Sequence, residues 1–137
     1  MKIKYGTRSL KNLTQNVDPR LVHIALELQK EDVICDAGVF ESKRTLEKQK
    51  ENVKKGVSQT LNSKHIPDAN GIVRAIDIVA YVNGSYVWDR KYQDKLVDAI
   101  RNVIQRLGYT DVIRLGADFK SFYDGYHIEI KTGCELK

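Results

Sequence analysis

Residues 75–84 read AIDIVAYVNG, a run that is apolar and β-prone up to its closing Asn-Gly, apart from one carboxylate. Such a run predicts a central strand, followed by the tight turn that Asn-Gly favours. The carboxylate belongs to Asp77, in the middle of the predicted strand. Burying it is costly unless it is paired or bound to a cation, so Asp77 requires a partner.

Helical patterns lie on both sides of this strand. Asp18 followed by proline predicts the N-cap and first position of a helix over residues 19–30. A highly charged helix is predicted over residues 45–56, with a glycine at its stop. The third and most regular pattern, residues 89–108, begins at an aspartate cap and ends at another glycine.

Shorter β-prone runs predict further strands over residues 32–36, 112–115 and 126–130, with polar loops over 59–74 and 116–125. Helices and strands do not alternate regularly. This favours an α+β fold in which a small, largely antiparallel sheet packs against about three helices. A chain of 137 residues is the size of one domain, so we expect a single domain over the whole sequence.

Composition narrows the classes of function. Lys and Arg number 23 against 18 Asp and Glu, a net charge of +5, which favours an anionic partner such as nucleic acid, lipid or cell wall. In residues 48–55 the basic side chains alternate with acidic ones, which indicates a solvated helix face and argues against a nucleic-acid-binding module.

Membrane and export signals are missing from the pattern. No apolar run approaches the about 20 residues of a membrane span, and the start, MKIKYGTRSLKNL, lacks a secretory apolar region. We therefore expect synthesis in the cytoplasm and no stable membrane association. Cys35 and Cys134 are expected to be free thiols, because a reducing compartment disfavours a disulfide.

Two histidines make a metal site conceivable around the buried carboxylate. His65 and His127 would join Asp77 to supply the nitrogen and oxygen ligands of a catalytic zinc with one open position. The spacing alone leaves alternatives open. Asp77 could instead pair with Arg74 or Lys91, and His127 could be a histidine of the core or of an edge strand.

Several motifs, taken together and in order, carry a resemblance to a known family. SKH at residues 63–65, AIDIVAYVNG at 75–84 and LGADFKSFYDGYHIE at 115–129 resemble the Ser-x-His, Ala-x-Asp and His-x-Glu segments of the zinc D,D-carboxypeptidase and L-alanyl-D-glutamate endopeptidase family. That family includes VanY-like enzymes and small bacteriophage endolysins. RTLEKQ at 44–49 and KKGVSQTLNS at 54–63 resemble its upstream segments.

The resemblance implies a zinc site made of His65, Asp77 and His127. It also implies that Asp124, three residues before His127, is the general base. Without the resemblance, Asp124 would be interpreted as a turn residue before a glycine. The loop between His65 and Asp77 is longer than the family pattern, and an insertion of this kind costs little because closure entropy grows slowly with length.

Other residues receive supporting roles from the same resemblance. Arg44 would polarise the substrate carbonyl or stabilise the oxyanion, although on its own it reads as a surface arginine of a charged helix. Ser63 and Glu129 would lie behind the metal ligands or contact substrate. Asp118 is expected to be structural only.

The function implied is that of a zinc peptidase with a hedgehog- or D,D-peptidase-like fold, acting on the peptide stems of bacterial peptidoglycan. The resemblance favours cleavage between L-Ala and D-Glu by a monomeric phage endolysin, released to the wall in the periplasm by a holin during host lysis. The alternatives are a D,D-carboxypeptidase that removes terminal D-Ala, or a non-catalytic cell-wall-binding domain on the same fold.

Overall fold

The computed structural model describes residues 1–56, 63–120 and 122–136. These parts contain four α-helices, five β-strands and one 3₁₀ turn. The helices are α1 (Thr7–Leu13), α2 (Pro19–Leu28), α3 (Leu46–Lys54) and α4 (Arg90–Leu107), the strands are β1 (Asp36–Glu41), β2 (Ala75–Val82), β3 (Ser85–Tyr86), β4 (Ile113–Leu115) and β5 (His127–Ile130), and the 3₁₀ turn is Gly116–Asp118.

The five strands form one antiparallel sheet in the order β1-β2-β5-β4, with β3 also paired to β2. One edge of β2 is covered by β1. The other edge is shared, because β5 pairs with residues 75–77 and β3 with residues 81–82. The strand expected to be central is therefore central, and the expected α+β fold with a largely antiparallel sheet is confirmed.

The two faces of the sheet differ in character because side chains alternate along a strand. On one face Ile76, Ile78, Ile128 and Ile130 join the main hydrophobic core, which α2 and α4 also line. The opposite face carries the polar side chains of β2 and β5. The run at residues 75–84 thus serves two purposes, since it supplies core on one face and a functional surface on the other.

The helix signals in the sequence are confirmed in position. The side chain of Asp18 accepts a hydrogen bond from the backbone of Arg20, so the cap expected at Asp18 is confirmed. The side chain of Thr45 accepts one from the backbone of Lys48 and caps α3 as well. Gly108 ends α4 in the left-handed conformation, with φ of 76°. Asp89 occupies the N-cap of α4 but makes no side-chain cap bond.

Two elements differ from expectation. The strand expected over residues 32–36 is wrong: pairing begins only at Asp36, and Ile34 is 56% exposed, because the backbone before β1 bonds to the chain's start instead. Gly38 lies inside β1. A Cβ there would come 2.6 Å from the Tyr86 hydroxyl, so the strand needs glycine at this point.

Helix α1 was not predicted, so there are four helices and not about three in the described residues.

The expected loops are present where the structure describes them, from residue 63 to the start of β2 and from the 3₁₀ turn to β5. Residues 59–62 of the first loop and Ser121 of the second lie outside the described residues, as do residues 57–62 of the segment that resembles the family's run into its first histidine. Cys35 and Cys134 are free, as expected. In the described residues, no helix is long and apolar enough to cross a membrane.

Candidate metal centre and active site

The sheet brings the polar side chains of three strands together. In the antiparallel register Asp77 of β2 stands opposite Glu41 of β1 on one side and His127 of β5 on the other. Directly opposed residues project from the same face, so these three form a row across the sheet. Glu129 follows His127 on the same face because side chains alternate along β5.

Three ligand atoms converge at the centre of this row. His65 Nε2 lies 3.2 Å from Asp77 Oδ1, and His127 Nδ1 lies 3.4 Å from the same oxygen. One ligand atom from each of the three residues falls within 4.8 Å of the others, and all three side chains are buried. The structure thus unites the three residues proposed as metal ligands, although His65 and Asp77 are separated by a loop of twelve positions.

A backbone carbonyl fixes the proton on His65. Its Nδ1 lies 2.8 Å from the carbonyl oxygen of Ser42, which can only accept, so Nδ1 donates. The neutral ring then presents an unprotonated Nε2 to the centre. The loop is held from behind as well, since the backbone of His65 donates to the Ser63 hydroxyl and its carbonyl accepts from the backbone of Arg44. Ser63 therefore supports the loop behind the ligand.

A carboxylate fixes the proton on His127. Its Nε2 lies 2.9 Å from Glu129, which in turn makes an ion pair of 2.9 Å with Lys64. Burial alone would raise the pKa of Glu129, but its bonds to His127 and Lys64 lower it. An ionised Glu129 can only accept, so His127 Nε2 donates and Nδ1 faces the centre unprotonated when the ring is neutral.

The arrangement fits a zinc ion in both chemistry and spacing. In a tetrahedral site with bonds of about 2.0–2.2 Å, neighbouring ligand atoms are roughly 3.3–3.5 Å apart. The two distances from Asp77 Oδ1, 3.2 and 3.4 Å, are close to this edge length. Two imidazoles with their outer nitrogens bonded to acceptors, plus one carboxylate, form a donor set that zinc prefers.

The charges of the cluster are strongly coupled. Burial would raise the pKa of Asp77, but the two histidines outweigh burial and lower it far below the usual range. Burial would lower the pKa of His127, yet its bonds to Asp77 and Glu129 raise it to about 9. The centre is therefore an anionic pocket that attracts a positive charge, which a proton supplies in the absence of a cation.

Asp124 stands beside this centre with an unused oxygen. Its Oδ1 is buried and makes no hydrogen bond to any residue that the structure describes. Burial raises the pKa of Asp124 to about 6. The charge of His127 lowers this pKa, and the charge of Asp77 raises it. A buried carboxylate without a partner at one oxygen is costly, and such costs are concentrated at functional sites.

Glycine at position 116 makes room for Asp124. The backbone of Asp124 donates to the Gly116 carbonyl at 3.0 Å, and the Asp124 carbonyl occupies the space that a Cβ at position 116 would fill. The Asp124 carbonyl also accepts from the backbone of His127. The turn expected around Asp124 is thus real, and it fixes the carboxylate next to His127.

Arg44 lies between β1 and α3, near the same centre. Its Nε pairs with Glu41 and its Nη1 bonds to Gln49, which leaves Nη2 without a hydrogen bond among the described residues. Its side chain is only 13% exposed, so Arg44 is not the surface arginine that the helix pattern alone favours. Burial raises the pKa of the nearby Tyr126 hydroxyl to about 12, and the charge of Arg44 lowers that pKa in part.

Two of the alternatives left open by the sequence are wrong. Arg74, the alternative partner of Asp77, is bonded to Asp18 and Asp68. His127 is not on an edge strand, because β5 lies between β2 and β4. Asp118 pairs with Arg101 at the surface, in agreement with a structural role.

Some parts of the site were not predictable from the sequence. Ser42 contributes through its backbone, which no side-chain motif reports. Lys64 is an ordinary polar residue in sequence, and only the fold pairs it with Glu129. Gln49, which bonds to Arg44, belongs to the RTLEKQ segment of the resemblance, but that segment did not indicate this contact. For Tyr126, the one signal in the sequence was its position next to the His-x-Glu motif.

Two histidines, a carboxylate and a neighbouring carboxylate with a free oxygen form the type of site that metal-dependent hydrolases use. Comparison with known proteins identifies the family. The model of the phage L-alanyl-D-glutamate peptidase family matches residues 1–135, so the chain belongs to this family of hydrolases.

A solved structure agrees with this membership. The chain is similar to the L-Ala D-Glu endopeptidase ChiX of Serratia marcescens, with 28% sequence identity and a TM-score of 0.77 over 93% of this chain and 90% of that chain. No individually curated protein sequence matches the chain.

Proposed function

We propose that this protein is a zinc endopeptidase that cleaves the peptide stems of peptidoglycan between L-Ala and D-Glu. The observation that carries the proposal is the convergence of His65 Nε2, Asp77 Oδ1 and His127 Nδ1 beside the unpaired oxygen of Asp124. Membership of the phage L-alanyl-D-glutamate peptidase family supports the choice of bond.

In this proposal His65, Asp77 and His127 hold the zinc ion. Bound zinc supplies a Lewis acid that acidifies water and polarises the scissile carbonyl. Asp124 accepts a proton from the attacking water and delivers it to the amine of D-Glu as the peptide bond breaks. Its burial suits both tasks, because a pKa of about 6 lies close to neutral pH.

Arg44 acts on the scissile carbonyl, whereas Asp124 acts on the attacking water. Its Nη2, which has no partner among the described residues, is available to the oxygen of the scissile carbonyl as negative charge develops there. Glu41 and Gln49 hold the guanidinium in a fixed orientation, so little reorganisation is needed.

We propose an endolysin role on the same basis. The phage family supports action on the bacterial wall during host lysis, after synthesis in the host cytoplasm and holin-mediated release to the periplasm. The net charge of +5 favours adsorption to an anionic wall. We propose a monomer whose 137 residues form one catalytic domain, with no nucleic-acid partner and no stable membrane association.

Digestion of purified Gram-negative peptidoglycan, followed by mass spectrometry, tests the proposed activity. We expect released peptides that begin at D-Glu, and no release when a chelator is present. Release of free D-Ala alone would instead indicate the D,D-carboxypeptidase. Intact stems in the presence of added zinc would contradict the proposal and leave a wall-binding domain as the alternative.

Glu129 is expected to tune the metal site. We expect Glu129→Gln to weaken zinc binding by about 10- to 100-fold, because His127 loses a charged acceptor and Lys64 loses its ion-pair partner. Competition with a chromophoric chelator measures this affinity. Glu27→Gln, which removes the ion pairs of a carboxylate on α2 with Lys30 and Arg106, is the matched control, and an equal loss in both variants would contradict the role.

Gly116 is expected to position the base. A Cβ at residue 116 would collide with the Asp124 carbonyl, so we expect Gly116→Ala to lower kcat at least tenfold and to destabilise the fold by about 1–3 kcal/mol. Kinetics and thermal unfolding measure the two effects. Gly6→Ala is the control, because a Cβ there meets nothing within 4 Å; wild-type kcat in Gly116→Ala would refute the positioning role.

The pH dependence of kcat/KM follows from the ionisation of the proposed base, Asp124. Asp124 must be ionised to accept a proton, and burial raises its pKa to about 6, so kcat/KM should fall as pH decreases through about 6. Bound zinc lowers the pKa of a neighbouring carboxyl, which places the midpoint at or below that value. A pH series on zinc-loaded enzyme measures the profile, and activity that increases below pH 5 would argue against Asp124 as the base.

A further inference from the structure

Aromatic side chains from three elements form a continuous row that ends at the proposed active site. We define the aromatic row as Phe40 of β1, Trp88 between β3 and α4, and Tyr126 just before β5. The ring centroids are 5.2 Å apart for Phe40 and Trp88, and 4.8 Å apart for Trp88 and Tyr126. Tyr126 in turn lies close enough to Asp124 for the Asp124 charge to raise the pKa of its hydroxyl, and it directly precedes His127.

The row is both accessible and rigid. Trp88 is 49% exposed although it packs against two other rings, and Phe40 and Tyr126 are partly exposed. Tyr86 supports Phe40 from beneath with a centroid distance of 5.1 Å, and Gly38 leaves the space that the Tyr86 hydroxyl occupies. A surface held in place before binding loses little entropy when a ligand docks.

The chemistry of the substrate indicates which of its groups would bind to the aromatic row. In a peptidoglycan stem L-Ala is joined through a lactyl group to an N-acetylated sugar, so a sugar lies on the amino side of the scissile bond. Two extended residue lengths, roughly 7 Å, separate that sugar from the bond. The polarised C–H groups of a sugar face are attracted to the electron-rich face of an aromatic ring. The carboxyl side of the bond carries the charged groups of the stem, whereas the row presents aromatic rings, of which only Phe40 has a described cation, Arg8, over its face at 5.2 Å.

We propose that the aromatic row binds the N-acetylated sugar attached to the stem and makes the enzyme prefer stems that are still joined to the glycan. This inference rests on the proposed function, because it assigns the amino-side group of the same substrate. Trp88 is the central contact, since it is the most exposed ring and touches both of the others.

Two matched substrates test the inference. One is an N-acetylmuramoyl tetrapeptide, and the other is the same tetrapeptide with a simple N-acetyl group in place of the sugar. For the wild type we expect kcat/KM to be roughly tenfold higher with the sugar, equivalent to ~1.4 kcal/mol. In Trp88→Ala this ratio should fall to about one, through a higher KM for the sugar-bearing substrate.

Two further variants separate binding from general damage. Trp88→Phe retains a ring and should keep most of the preference. Leu26→Ala removes an exposed apolar side chain on α2, outside the row, and should keep all of it. An unchanged ratio in Trp88→Ala, whether both rates fall equally or neither falls, would overturn the inference. Failure of the wild type to cleave either substrate would instead refute the proposed function.

Discussion

Asp124→Asn is expected to lower kcat by a factor of about 10³, within the range of 10²–10⁴ that general acid–base catalysis contributes. Asn has nearly the same shape, but it cannot accept a proton from water. Zinc content should be unchanged, because Asp124 is not among the three converging ligands. Single-substrate kinetics and metal analysis on the same preparation measure both quantities.

The stability of this variant provides an independent test. The folded protein raises the pKa of Asp124 to about 6 by burial, so the fold binds this proton more tightly than the unfolded chain does. At neutral pH the ionised carboxylate therefore destabilises the fold, and this contribution is lost as pH falls below about 6. We expect Asp124→Asn to unfold at the same temperature as the wild type or higher, in the absence of metal.

A matched carboxylate serves as the control for Asp124. Asp118→Asn alters the same polar loop, but its carboxylate pairs with Arg101 at the surface, so its kcat should stay close to that of the wild type. Full activity in Asp124→Asn would show that another group transfers the proton. No detectable turnover in the zinc-loaded wild type would instead favour the wall-binding alternative.

Removal of a metal ligand should have the second large effect. His65→Ala, Asp77→Asn and His127→Ala are each expected to lose zinc and all measurable activity. Zinc at a thousandfold excess over its dissociation constant stabilises a folded protein by about 4 kcal/mol. We therefore expect zinc to raise the unfolding temperature of the wild type and to leave that of the three variants unchanged.

His23→Ala is the control for these substitutions. His23 is an exposed histidine of α2 whose Nδ1 lies 3.0 Å from the Tyr109 hydroxyl, far from the ligand cluster in the fold. Its loss should affect neither zinc nor turnover. Zinc binding and activity that persist in all three ligand variants would refute the metal site.

Local signals in the sequence predicted much of the fold because they act over a few residues. Asp18 and Thr45 cap their helices, and Gly108 ends α4 with a positive φ, as their types predict. Asn83 and Gly84 both have positive φ in the turn after β2. The apolar run of β2 predicted a central strand since no exposed strand would bury so many side chains.

Long-range packing explains what the sequence did not reveal. Strand β1 begins later than its apolar residues suggested, because pairing with β2 determines its register and Gly38 is required by Tyr86 from another strand. Helix α1 has few apolar residues, and its contact with β1 supplies the packing that its sequence does not predict. Such contacts depend on residues far apart in the chain.

The candidate site likewise has parts that the sequence predicted and parts that it did not. Its side chains of distinctive chemistry, His65, Asp77 and His127, were found through motif order, and the antiparallel register brings Asp77 and His127 together. The groups behind them were not predictable. Ser42 acts through its backbone, and the pairing of Lys64 with Glu129 depends on how the loop before β2 packs against β5.

The position of a metal ion in the active enzyme would show whether His65, Asp77 and His127 hold zinc. Crystals of zinc-loaded, catalytically active protein, measured above and below the zinc absorption edge, should show one anomalous peak in contact with His65 Nε2, Asp77 Oδ1 and His127 Nδ1, with Asp124 close by. Active crystals without a peak at these three atoms would contradict the account.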